Sequence, residues 1–91
     1  MNYLLVKRGI ISKGYSMEYL QNHIIPSLNN FFLTHNDEEI EECQKEYGYS
    51  NNNLPMIWIN DVADPNCMLM FEITNKIGSY IRLSFLGRFK G

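Results

Sequence analysis

A chain of 91 residues with 45% hydrophobic and 13% aromatic content can fold as one domain, 1–91, around a packed core, and its 20% of charged residues is ordinary for such a domain. A net charge of −2 argues against the bulk electrostatic attraction to nucleic acid that basic domains show. The opening apolar run, Tyr3 to Val6, is far too short for a signal peptide or a membrane span, and Cys43 and Cys67 stand in no metal-type spacing, so the expectation is a cytoplasmic protein with reduced, partly buried thiols.

In chain order, Tyr3 to Ile11 is rich in β-formers and reads as a first strand, with a turn at Ser12-Lys13-Gly14-Tyr15. Ser16 is an N-cap with Glu18 in the first turn. Met17, Leu20, Ile24, Leu28 and Phe31 then recur at steps of three and four, which is one helix face. Pro26 removes a backbone donor and crowds the preceding turn, so a kink or break is expected there. A second helix is capped by Asn36, with Glu39 at the capping-box position and Gly48 as the stop. Its apolar stripe is thin, only Ile40, Cys43 and Tyr47, so it should lie on the surface with one edge on the core.

The remainder reads as β. Strands are predicted at Leu54–Asn60, Cys67–Asn75 and Ser79–Leu86, with Asp64-Pro65-Asn66 turning the chain between the first two. A three-residue loop at Lys76-Ile77-Gly78, with Gly78 left-handed, would pair Ile73 with Ile81, Phe71 with Leu83 and Leu69 with Phe85. It would also set Glu72 opposite Arg82. The fold class that follows is α+β in the order β-α-α-β-β-β. It has a mostly antiparallel sheet of three to four strands and helices packed on one face.

Two surfaces stand out. Residues 37–46 hold six carboxylates against one lysine, a net of −5, so the rest of the chain carries +3. The exposed members of this acidic helix, Asp37, Glu38, Glu41 and Glu42, are a candidate face for a basic partner. The second candidate is the sheet face turned away from the helices, with Met56, Trp58, Met70, Tyr80 and Arg82. It is too apolar to be a plain solvent face, and a tryptophan, a tyrosine, methionines and one arginine are what protein interfaces are made of. A second copy of the chain is one partner it would suit. A third, weaker grouping is basic: Lys7, Arg8, Lys13 and Arg88, together with Arg82, could touch phosphates if the first and last strands are neighbours.

Chemistry-bearing motifs are absent. His23 and His35 have no neighbour at ligand spacing and read as surface or capping residues. Asp61 and Asp64, between Asn60 and Asn66, lack the glycine and terminal glutamate of a calcium loop, and turn chemistry accounts for them. Carboxylates around Cys43 oppose thiolate formation. No glycine-rich phosphate loop occurs. No catalytic residue, cofactor or metal site is therefore assigned.

The sequence reading is a non-enzymatic protein-binding protein that inhibits or neutralises one partner by steric and electrostatic blocking. Small accessory proteins of phages and toxin–immunity systems have this general character. The alternatives are a nucleic-acid binder using the Lys/Arg patch and an enzyme with an unrecognised site.

Overall fold

The Ser16 hydroxyl accepts a hydrogen bond from the Tyr19 N–H at 3.0 Å from an extended backbone, so the expected N-cap forms. The computed structural model describes residues 2–5, 15–77 and 80–90, and three helical pieces follow this cap without a gap. They are α1 (Met17–Tyr19), a π-helical turn (Leu20–Ile24) and α2 (Ile25–Thr34).

The kink or break expected at Pro26 gives way to this π turn. A proline within a regular helix loses a hydrogen bond, and its ring meets the carbonyl four residues back. Here the wider turn closes through the Ile25 N–H to the Leu20 carbonyl, and Pro26 falls in the first turn of α2, where the absent donor is not missed. The helical run therefore continues to Thr34 and buries Leu20, Ile24, Leu28 and Phe31 on one side. His35 ends it, its N–H bonded to the Phe31 carbonyl at 3.1 Å and its ring stacked on Phe31.

α3 (Asp37–Tyr47) begins with the capping box read from the sequence. The Asn36 side chain accepts from the Glu39 N–H at 2.9 Å, and the Glu39 carboxylate accepts from the Asn36 N–H at 3.0 Å. Gly48, at φ 74°, turns the chain out of the helix. Ile40 is fully buried and Cys43 partly so, which is the narrow edge the thin stripe predicted.

The strands are β1 (Asn2–Leu5), β2 (Met56–Asn60), β3 (Cys67–Ile77) and β4 (Tyr80–Lys90), in the sheet order β1-β4-β3-β2. β1 runs parallel to β4, and the other two junctions are antiparallel. Most of the expected first strand beyond Leu5, the Ser12–Gly14 part of its turn, and the left-handed role given to Gly78 lie outside the described residues. β2 starts two residues later than predicted, because Leu54 and Pro55 belong to a loop in which Pro55 bridges Tyr49. β3 and β4 run longer than predicted.

The β3–β4 register differs from the expected one. Ile73 pairs with Leu83 and Phe71 with Phe85, two residues along from the predicted partners. Lys76 and Ile77, expected in the loop, are strand residues opposite Ile81 and Tyr80. Thr74 is the extra residue at one irregularity, its hydroxyl donating to the Arg82 carbonyl at 3.1 Å, and Leu86 is the extra residue at a second. Asn75, not Glu72, faces Arg82. Glu72 lies opposite Ser84, is 5% exposed, and accepts a hydrogen bond from Asn52 Nδ2 at 3.2 Å. A buried carboxylate needs such a donor.

The alternation of the strands survives the slip. Ile57, Ile59, Leu69, Phe71, Ile73, Ile81, Leu83 and Phe85 are buried against Leu20, Ile24, Leu28, Phe31 and Ile40 in one core. Phe32 packs on this same cluster. The fold is α+β with its helices on one face, and the other face holds the alternate residues.

Candidate functional site

α3 presents its charge outward: Asp37, Glu38, Glu41 and Glu42 are all exposed, as are Glu39 and Glu46. The capping box and the three carboxylates of the first turn suit the positive end of the helix, so local stability and outward charge follow from the same residues. Cys43, on the inner side, has its thiol pKa pushed up. Burial is the main cause, and the carboxylates of Glu46, Glu39 and Glu42 add to it.

On the sheet face away from the helices, Met56, Trp58 and Met70 are half-buried, whereas Tyr80 and Arg82 are exposed. The Trp58 ring stacks with two others: Tyr47 of α3, with centroids 5.8 Å apart, and Phe89 of β4, at 5.3 Å, both within 11° of parallel. Phe89 is 45% exposed. Trp58 Nε1 is shielded from solvent and has no hydrogen-bond partner among the described residues. Sequence reading singled out Trp58 but not this stack. Phe89 reaches it because the Leu86 irregularity shifts the end of β4, placing Phe89 opposite Met68.

The same irregularity separates two candidate phosphate contacts. Arg82 lies among the outward residues of β4, between buried Ile81 and Leu83. Arg88 instead lies opposite Leu69, and its guanidinium sits over the Tyr19 ring of α1, 5.6 Å from the centroid. Lys7, Arg8 and Lys13 lie outside the described residues.

A polar cluster that the sequence did not reveal joins the π turn to the β2–β3 turn. His23 Nδ1 lies 2.8 Å from Asp61 Oδ2, and the Asp61 side chain is fully buried. Asp61 Oδ1 accepts from the Ala63 N–H at 2.9 Å, the Asx turn expected at this position. With Asp61 ionised, Nδ1 carries the hydrogen, leaving Nε2 as the free nitrogen. Ser27 Oγ donates to the His23 carbonyl and accepts from the Val62 N–H at 3.0 Å. Tyr19 stacks on the imidazole at 4.3 Å. His23 is thus a half-buried residue hydrogen-bonded to Asp61 and not the surface or capping histidine expected. His35 is the capping one.

Lower in the same turn, the Cys67 thiol donates to Asp64 Oδ2 at 3.2 Å. That donor holds the Asp64 carboxyl below its ordinary pKa, while burial first and the Asp64 contact second push the Cys67 thiol up.

An imidazole oriented by a buried carboxylate is one element of nucleophilic or general-base catalysis. The nucleophiles near it are committed elsewhere: the Ser27 hydroxyl to the His23 carbonyl, and the Cys67 thiol to Asp64. Among the described residues no group of three or more His, Cys, Asp or Glu side chains is arranged to hold a metal ion. None of their helices is long and apolar enough to cross a membrane.

Compared with protein-family models, with curated proteins and with solved structures, the chain matches none.

Proposed function

We propose that this is a non-enzymatic binding protein that docks a single protein partner and blocks it. The docking surface runs from the acidic side of α3 around the β2 edge onto the outer sheet face. The observation that carries the reading is the Tyr47–Trp58 contact. It makes one surface of the two candidates, because the residue that ends α3 packs on the tryptophan at the centre of the aromatic stack. Charge at one end and a stacked, methionine-flanked aromatic patch at the other is the composition of a specific interface. The occupant this surface suits is a protein with a basic site beside an apolar patch. Asp37, Glu38, Glu41 and Glu42 steer the approach, and Met56, Trp58, Met70, Tyr80 and Phe89 supply the buried area.

The nucleic-acid alternative is disfavoured by the same stack. The Trp58 ring is already stacked with Tyr47 and Phe89, which reduces the ring surface free for a base. Arg82 and Arg88 also diverge.

The test is affinity capture from the native cell with three baits: the natural protein, Glu38→Lys/Glu41→Lys/Glu42→Lys, and Phe89→Ser. The expected result is a basic protein retained by the natural chain at low salt and lost from both variants. Retention of the same proteins by all three baits would remove the docking surface, and capture of RNA or DNA in their place would favour the alternative.

A further inference from the structure

The π turn and the β2–β3 turn meet at His23 and Asp61, and no separate nucleophile is free beside them. We propose that His23 Nε2 is itself a nucleophile, an acceptor for a small uncharged acyl group from an activated acyl donor.

The two nitrogens of an imidazole point to opposite sides of the ring, so burying Nδ1 at 2.8 Å from Asp61 Oδ2 turns Nε2 outward. The Asp61 side chain is fully buried, and its other oxygen is pinned by the Ala63 N–H. That carboxylate keeps the hydrogen on Nδ1 and the lone pair on Nε2. Tyr19, stacked at 4.3 Å, fixes the plane of the ring. The His23 side chain is 25% exposed, and its Nε2 is neither shielded from solvent nor hydrogen-bonded among the described residues. His23 also lies within the π turn, a distortion common at functional sites.

The surroundings select the group transferred. The ring shares the wall of a hollow of about 170 Å³ with Ser16, Glu18, Tyr19 and Asn22. Sites for whole small molecules run from roughly 300 Å³ upward, so this one suits a group of a few atoms. Glu18 in the wall and Asp61 behind the ring outweigh the Arg88 guanidinium over Tyr19, which disfavours a multiply charged phosphoryl group. The Ser16 oxygen accepts from the Tyr19 N–H and keeps its own hydrogen to donate; the Asn22 amide is a second donor for an acyl oxygen.

With an aryl ester, the Nε2 lone pair attacks the carbonyl carbon, and the C–O bond breaks to expel the phenolate. The positive charge on the acylated ring is stabilised by Asp61 across the Nδ1–H. Water then attacks the acyl carbon, Nε2 leaves with its electron pair, and the carboxylate and a proton are released.

The inference needs no protein partner, so its failure leaves the docking proposal standing, and the reverse also holds. The probe is 4-nitrophenyl acetate, followed by nitrophenolate release and by mass spectrometry of the acetylated chain. His35, the other histidine, is the internal standard, since its Nδ1 meets the Phe31 carbonyl and the Thr34 hydroxyl and no carboxylate. His23 is expected to acetylate at least about tenfold faster than His35. Asp61→Asn should remove that advantage while the rate at His35 stays the same, and imidazole ¹⁵N shifts should show the hydrogen on Nδ1 of His23 only in the natural chain. His35→Gln should leave the fast phase unchanged. Equal acetylation of the two histidines, an unchanged His23 rate in folded Asp61→Asn, or labelling of His23 by phosphoramidate and not by the ester would each overturn the proposal. If Asp61→Asn fails to fold, the comparison of His23 with His35 in the natural chain decides alone.

Discussion

Cys67 Sγ and Asp64 Oδ2, 3.2 Å apart where the turn enters β3, show how one contact moves two titrations in opposite directions. The thiol hydrogen stabilises the carboxylate, so the folded chain binds a proton at Asp64 less readily than the unfolded chain does. A carboxyl whose folded pKa is depressed contributes stability that is complete above its unfolded value, about 3.9. The contribution disappears as pH falls through the lower folded value. The Asp64→Asn variant should therefore be less stable than the natural chain at pH 6, and the gap should close as the pH is lowered towards 2. Urea unfolding across that range measures it, and a gap independent of pH would contradict the contact. Residue identity alone could not predict such pairs. Asp64 and Asp61 were legible as turn residues, yet Asp61 also binds a histidine 38 positions away. The one local hint was that His23 sits between Leu20 and Ile24, beside the apolar stripe, where a polar side chain must find a partner or reach water.

Among the elements, α3 was the most legible, because its signals are local. A cap, a glutamate three residues on and a glycine stop act within one turn, and each is formed as read. Removing the cap should cost about 1 kcal/mol, so Asn36→Ala is expected to lower unfolding free energy by that amount in denaturant titrations. It should leave the urea dependence unchanged, since the core is untouched. The helical run before it was half legible. Its apolar spacing was right, but the effect of Pro26 was not, since a proline's damage depends on the geometry of the turn before it, and the π turn absorbs it. The β3–β4 pair teaches a sharper lesson. The period-two spacing of Leu69, Phe71 and Ile73 determines which face each residue takes. A slip of two residues leaves every face unchanged. Pattern alone therefore assigns the core correctly and cannot choose between registers that differ by two. The irregularities at Thr74 and Leu86 made that choice, and a ladder drawn without them predicted a Glu72–Arg82 pair that does not form.

At the scale of the molecule, the two sheet faces should answer differently to substitution. A domain of this length has roughly 5–13 kcal/mol of stability. Phe71 is fully buried among the core residues, and Phe71→Ala should cost about 3–5 kcal/mol, enough to leave much of the chain unfolded at 37 °C. Phe89, 45% exposed on the outer face, should tolerate Phe89→Ser at a cost of about 1 kcal/mol or less, as surface changes usually do. Thermal unfolding of the pair checks both values. A large loss at Phe89 would mean that the aromatic stack serves the fold more than a partner.

By itself the sequence determined the fold class, the capped acidic helix, the core-facing residues and the apolar character of the second sheet face. These depend on periodicity and on contacts within a few residues. Only the tertiary structure decided the β3–β4 register, the Tyr47–Trp58–Phe89 stack and the His23–Asp61 pair. Each of these joins side chains from separate elements. Their meeting is set by where strand irregularities and a π turn redirect the chain, and such events leave no periodic trace for the sequence to show.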